Sequence, residues 1–218
     1  MKRKSAKPGS ISKHAAITLR ACLIAKDSAY NVREYVATKS RMALLAVQQC
    51  EKELDQIERE TDETMPAAIT GVSEREAREL LACLKCTIDL ERVGDLLWTV
   101  AKRLQQLQVP LTSKENGYLT GMADTLCDML ARVHDGFANR DIEMAESVLR
   151  MDGHMDRICH AVFHAYLEKG AGARRSEVTD LLFMAQAFER AGDHTKNLGE
   201  ELFHVIEGHT MRHSRKTR

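Results

Sequence analysis

Residues 84–95 read LKCTIDLERVGD and residues 182–193 read LFMAQAFERAGD. Leu, Glu, Arg, Gly and Asp coincide at equal offsets, 98 residues apart. Working outward, residues 51–57 (EKELDQI) align with residues 152–158 (DGHMDRI), 101 residues apart. A period near 100 residues, with the same order in both halves, is the signature of an internal duplication. Each half places one carboxylate pair first and a second pair, inside Glu-Arg-x-Gly-Asp, after it.

The punctuation around these segments gives six helices, over about 11–38, 40–65, 73–108, 115–138, 140–169 and 174–208. Pro66 and Gly71 end the second, and Ser73 with Glu76 spells a capping box that opens the third. Residues 139–141 (Asn-Arg-Asp) separate the fourth from the fifth, and Gly170 and Gly172 end the fifth. The best single break lies between Pro110 and Gly117. The expected fold is therefore all-α: two tandem three-helix bundles, residues 1–110 and 111–218.

Composition agrees. Of 218 residues 44% are hydrophobic, enough for a real core, while Gly and Pro are scarce and aromatics are 5%. That excludes disorder, collagen-like repeats and most all-β folds. No apolar run reaches the roughly 18 residues of a membrane span, and no apolar signal core opens the chain, so a soluble cytoplasmic protein is expected. The net charge of zero hides an asymmetry: residues 1–10 and the tail after Gly208 carry four Lys or Arg each and no acid. The remainder holds 24 bases against 32 acids. Basic tails this short read as solvated ends rather than a specific nucleic-acid surface.

Four Glu/Asp-x-x-x-Asp pairs carry the chemistry: Glu51/Asp55, Glu91/Asp95, Asp152/Asp156 and Glu189/Asp193. On a helix, residues i and i+4 share a face, and two like charges there are destabilising unless a cation lies between them. A hard metal ion is one such cation, since it takes several carboxylate oxygens. Helical register separates these pairs from chance. Leu44, Leu84, Ala145 and Leu182 stand seven residues before each pair, and Leu54, Gly94, Met155 and Gly192 stand three after its first member. All four pairs thus border an apolar stripe. Asp124/Asp128 fits the same spacing but stands opposite Leu126, Leu130 and Val133, so it reads as solvent face. Glu58/Asp62 extends the first stripe and serves either as further ligands or as a charged helix end.

Gly94 and Gly192 sit mid-helix, where each costs about 1 kcal/mol against Ala. They leave room either for a bound cluster or for a close neighbouring helix. Arg92 and Arg190 either bind anions or are solvated. His160/His164 fall away from the apolar stripe, while His194 directly follows Asp193. Six cysteines are scattered through helical sequence and read as buried thiols in a reducing compartment. In the lone Cys83-x-x-Cys86, periodicity puts Cys83 with the apolar residues and Cys86 well round the helix.

The phrases Asp89-Leu-Glu-Arg-Val-Gly-Asp95 and Glu189-Arg-Ala-Gly-Asp-His-Thr-Lys-Asn197 resemble the PhoU family of phosphate-signalling regulators. The resemblance covers about residues 12–208. It implies two tandem three-helix bundles bearing multinuclear metal clusters on the Glu/Asp-x-x-x-Asp pairs: Glu51, Asp55, Glu91 and Asp95 on the first, Asp152, Asp156, Glu189 and Asp193 on the second. Fe, Zn, Mg or Mn would suit such ligands. It further implies a cytoplasmic, non-enzymatic negative regulator of phosphate uptake and starvation signalling. Its partners would be a membrane sensor histidine kinase and phosphate-transporter components, and a homodimer is expected. The sequence departs from the family in the first half, with Leu96 and Thr99 where the second half keeps His194 and Asn197. It departs again at residues 68–72, which read AITGV, and at Ala187, the counterpart of Asp89.

Two other readings compete: a carboxylate metalloenzyme in a helical bundle, and a metal-free adaptor bundle. Ferritin-like di-iron sites need two Glu-x-x-His pairs, and only Glu201/His204 fits. No P-loop or His-Glu-x-x-His motif is present.

Overall fold

The structure is a computed structural model that describes residues 13–168 and 175–208, with side chains described for 13–165 and 179–208. Six helices follow one another: α1 (Lys13–Thr38), α2 (Arg41–Ala68), α3 (Glu74–Gln106), α4 (Ser113–Asn139), α5 (Ile142–Glu168) and α6 (Arg175–Glu207). The described residues contain no strand. The basic termini lie outside them.

Local chemistry sets the helix ends. Ser73 and Glu76 form the expected capping box of α3, and Thr112 with Glu115 forms an equivalent one for α4. That second box starts α4 at Ser113, so Gly117 falls inside the helix rather than in the connection. Pro66 does not stop α2, which continues to Ala68. A proline so near the end removes a single hydrogen bond, and the chain closes just beyond it through Ile69 N–H donating to the Met65 carbonyl at 3.0 Å. Gly71, at φ +77°, then turns the chain. Arg140 adopts the left-handed conformation (φ 54°) at the end of α4, and Asp141 N–H donates to the Gly136 carbonyl at 3.0 Å.

Helices α1, α2 and α3 pack on one another, as do α4, α5 and α6. The two bundles meet along a seam in which α1 lies on α4 and α3 lies on α6. Small side chains on α1 (Ala21, Cys22, Ala25, Ala29) are fully buried and bring it close to its neighbours. Leu90, Leu97, Met122, Leu126, Met184 and Phe188 join both bundles into one continuous core. Polar ties cross the seam as well: Arg33 Nε to Asp124 Oδ1 at 2.6 Å, Arg103 Nη1 to Asp180 Oδ1 at 3.1 Å, and Lys85 Nζ to Glu201 Oε1 at 2.9 Å. Asp124 and Asp128 are exposed, as their register predicts.

Cys86 reverses its sequence-based placement, being fully buried while Cys83 is half-buried. The cause is the seam. Helix α3 is covered by its own bundle on one side and by α6 on another, so its buried arc is wider than that of a one-sided amphipathic helix.

Candidate functional site: the two carboxylate clusters

In the first bundle, α2 and α3 run side by side and present their carboxylates to one another. Glu51, Asp55 and Asp95 converge, with one oxygen of each lying within 4.8 Å of the others. Among the described residues, no other group of three or more His, Cys, Asp or Glu converges so tightly. Glu91 borders this trio and is the most enclosed of the four, at 8% exposed. Its Oε2 has no hydrogen-bond partner. Arg92 Nε lies 3.3 Å from that oxygen and Arg92 Nη1 lies 3.6 Å from Asp95 Oδ2, from a half-exposed side chain. Burial, and then the neighbouring Asp95 charge, push the Glu91 carboxyl up to about 7, with Glu58 and Asp55 adding and Arg92 opposing. Burial followed by Asp55 and Asp95 also raises Glu51. Glu58 therefore belongs to the field of this cluster, whereas Asp62 is exposed.

Negative charge outweighs positive at this cluster, although Arg92 pairs with Glu91 and Asp95 and Lys102 and Lys52 act on Glu51. Three carboxylates meet, and a fourth, Glu91, buries an oxygen that accepts no hydrogen bond. All-oxygen donors of this kind suit hard or borderline divalent cations. The residues present fit a metal ion on the first bundle.

The second bundle gathers Asp152 and Asp156 of α5 with Glu189 and Asp193 of α6. Burial raises Glu189, with Asp193, Asp156 and Asp152 adding, in that order. Burial and then Asp152 raise Asp193, with Lys196 opposing. This cluster differs in one respect. Asp152, 6% exposed, accepts a hydrogen bond from the Lys196 ammonium, which binds α6 to α5. Sequence reasoning passed over Lys196. Its signal was position, since a residue three after Asp193 on a helix stands on the same face.

His194 and Asn197 do not turn toward that cluster. His194 Nδ1 lies 2.7 Å from Asp89 Oδ1, and Asn197 Nδ2 donates to the same oxygen at 3.3 Å. Asp89 stands on α3, so these residues hook the second bundle to the first. His194 also lines a cleft of about 310 Å³ on the seam together with Glu51, Arg92, Asp95, Lys102 and Arg190. The two Glu-Arg-x-Gly-Asp motifs thus face one groove.

The mid-helix glycines serve helix packing. A Cβ at Gly94 would stand 2.6 Å from Leu54 Cδ1 of α2, and one at Gly192 would stand 3.2 Å from Met155 Cγ of α5. Leu54 and Met155 are the equivalent residues of the two upstream motifs, so each half closes on itself in the same way. His160 and His164 are exposed. Glu201, the carboxylate of the only Glu-x-x-His pair, is held by Lys85.

Comparisons with known proteins bear on the family and the fold. The PhoU domain matches the chain twice, over residues 18–104 and 119–202. A phosphate-specific transport system accessory protein PhoU homolog from Xylella fastidiosa strain Temecula1 is 29% identical, over 78% of this chain and 81% of that protein. A protein of the same description from Rhizobium meliloti is 31% identical, over 71% of this chain and 68% of its own length. The crystal structure of PhoU from Pseudomonas aeruginosa superimposes with a TM-score of 0.83 at 21% identity, covering 90% of this chain and 96% of that one. The phosphate transport system regulatory protein PhoU from Streptococcus pneumoniae gives 0.82 at 19%, covering 91% and 95%. With six helices in two like halves and both halves matched, the chain belongs to the PhoU family.

Proposed function

We propose that this chain is an accessory protein of a phosphate-specific transport system, one that restrains phosphate uptake and phosphate-starvation signalling. It acts by binding, as an accessory protein does, and not by turnover. Its work is cytoplasmic. Its partners are phosphate-transporter components and a membrane sensor histidine kinase, and it acts as a homodimer. The working units are residues 1–110 and 111–218. No helix among the described residues is long and apolar enough to cross a membrane.

The observation that carries the reading is the convergence of Glu51, Asp55 and Asp95 beside the buried Glu91 in a chain of this family. We assign these four residues as ligands of a bound metal, Fe, Zn, Mg or Mn. A bound cation supplies positive charge where the fold has assembled negative charge. An acidic surface alone repels phosphate and acidic partners. Glu51 and Asp95 line the seam cleft beside Arg92, Lys102 and Arg190, so neutralising them leaves that cleft positive. Asp152, Asp156, Glu189 and Asp193 form the counterpart cluster of the repeat.

The test is genetic and biochemical together. Deleting the gene in its phosphate-responsive host should raise phosphate uptake and starvation-gene expression under replete phosphate. Complementation with Glu51→Gln/Asp95→Asn should fail while the variant folds normally. Unchanged uptake and expression on deletion would refute the regulatory reading. Full complementation by the double variant would refute the metal-dependent mechanism and leave the regulator standing.

A further inference from the structure

The two clusters are copies in sequence but not in charge. In each, one carboxylate is more than nine-tenths buried: Glu91 in the first and Asp152 in the second. The first leaves Oε2 of Glu91 without a hydrogen bond. The second satisfies Asp152 with the Lys196 ammonium. Lys196 also lies within electrostatic reach of Asp193 and Asp156, so it faces three of the four carboxylates at once. Its side chain is 36% exposed, with the ammonium directed to the 9%-exposed Asp152 side chain.

The repeat makes the contrast sharper. At the 98-residue offset the counterpart of Lys196 is Trp98, which brings no charge. The nearest cation of the first cluster, Arg92, lies on Glu91 and Asp95 from a side chain 54% exposed. It reaches only one member of the converging trio; Lys102 and Lys52 act on Glu51 through their field alone, and among the described residues no cation forms an ion pair with Glu51 or Asp55. In the second bundle the ammonium takes up an oxygen of the deepest carboxylate and puts a positive charge among the others. A divalent ion entering there would lose that ligand oxygen and meet that charge.

We propose that Lys196 is the resident cation of the second cluster, so that this chain holds metal on its first bundle alone. The half of this statement that concerns the first bundle rests on the metal reading given above, and the half that concerns Lys196 does not. Metal chemistry and the internal ammonium thus divide the two copies of one motif. A symmetric repeat becomes a protein with one metal-bearing face and one face fixed by its own side chain.

Metal-free protein titrated separately with Zn²⁺ and Mn²⁺, with bound metal counted after desalting, tests this. In the wild type, Glu189→Gln/Asp193→Asn should leave bound metal unchanged, and Glu51→Gln/Asp95→Asn should abolish it. Lys196→Met keeps the length of the side chain and removes the charge. It should raise bound metal about twofold, and the added metal should vanish on combining it with Asp152→Asn. Lys196→Arg should add none. Wild-type metal lost through Glu189→Gln/Asp193→Asn overturns the proposal, and so does a folded Lys196→Met with no added metal. Metal gained by Lys196→Met over a metal-free wild type would uphold the role of Lys196 while sinking the first-bundle reading. Should Lys196→Met fail to fold, Lys196→Gln replaces it, and the comparison of the two carboxylate variants in the wild-type background decides the matter independently.

Discussion

His194 of α6 and Asp89 of α3 lie 2.7 Å apart, Nδ1 to Oδ1, and this contact ties the halves of the repeat together beside both carboxylate clusters. Asn197 shares the same Asp89 oxygen. Asp89→Ala leaves two partly buried donors unpaired, at a cost of about 1–3 kcal/mol. Urea unfolding of Asp89→Ala, His194→Ala and the double variant should give a coupling energy above about 0.5 kcal/mol. Strictly additive effects would mean that the contact does not hold the seam.

Stability should fall as pH rises through the range set by Glu91. Its carboxyl is pushed from 4.5 up to about 7, first by burial and then by Asp95, with Glu58 and Asp55 adding and Arg92 opposing. Below the unfolded value both states hold the proton, and there is no difference. Between that value and about 7 the folded state keeps a proton the unfolded chain has lost. Above about 7 the buried charge counts fully against folding. The penalty is on the order of 1–2 kcal/mol after allowing for water at the cluster. Metal-free Glu91→Gln should therefore match the wild type at acid pH and exceed it at alkaline pH. Parallel pH–stability curves for the two proteins would contradict this.

The helices and the duplication were legible because local signals agreed: the capping box at Ser73, the carboxylate register and the Gly-Asp endings all gave one answer. The register also identified which pairs border the core, down to the exposed Asp124/Asp128. What escaped was everything created by the seam. Cys86 is buried where α3 meets both α1 and α6, near Cys22 and Glu201, and no single-helix periodicity contains that information. Asp89 looked like a mismatch with Ala187, yet it is the acceptor for His194 and Asn197. Lys196 was hidden for a related reason inside the second bundle, because its partner Asp152 stands on a different helix, α5.

The glycines give a prediction on packing. In Gly94→Ala the new methyl would stand 2.6 Å from Leu54 Cδ1, so the buried Leu54 side chain must shift. The gain of about 1 kcal/mol in helix propensity is outweighed by overpacking of about 1–3 kcal/mol. In Gly192→Ala the neighbour is Met155 at 3.2 Å, a more flexible side chain that yields by a few tenths of an ångström. Thermal melts should show Gly94→Ala below the wild type and Gly192→Ala close to it. The reverse order would place the clash wrongly.

The cysteines should be chemically silent. Burial pushes the thiols of Cys22 and Cys127 up to about 12, those of Cys50 and Cys159 up to about 11, and Cys86 well above its ordinary value. The thiolate is the reactive form, so native protein at pH 8 should react with a disulfide reagent far more slowly than the same protein in urea. Rapid labelling of Cys86 in the folded state would show that α3 and α6 separate readily.

The first cluster should set stability against binding. With no metal, Glu51→Gln/Asp95→Asn removes like charges that oppose one another across α2 and α3, so the variant should be more stable than the wild type. With metal the order should reverse. A cation that binds only the folded protein adds about 2.7 kcal/mol at a hundredfold excess over its dissociation constant. The variant, lacking the converging oxygens, gains nothing. Melting curves of both proteins, with chelator and then with Zn²⁺ or Mn²⁺, should therefore cross over. This crossing separates the metal reading from a purely structural one. A solvated acidic face would give a variant that is more stable, or equally stable, under both conditions, with no ion-dependent exchange of rank. If the wild type already exceeds the variant in chelator, Glu51 and Asp95 hold the fold directly, and their convergence is structural.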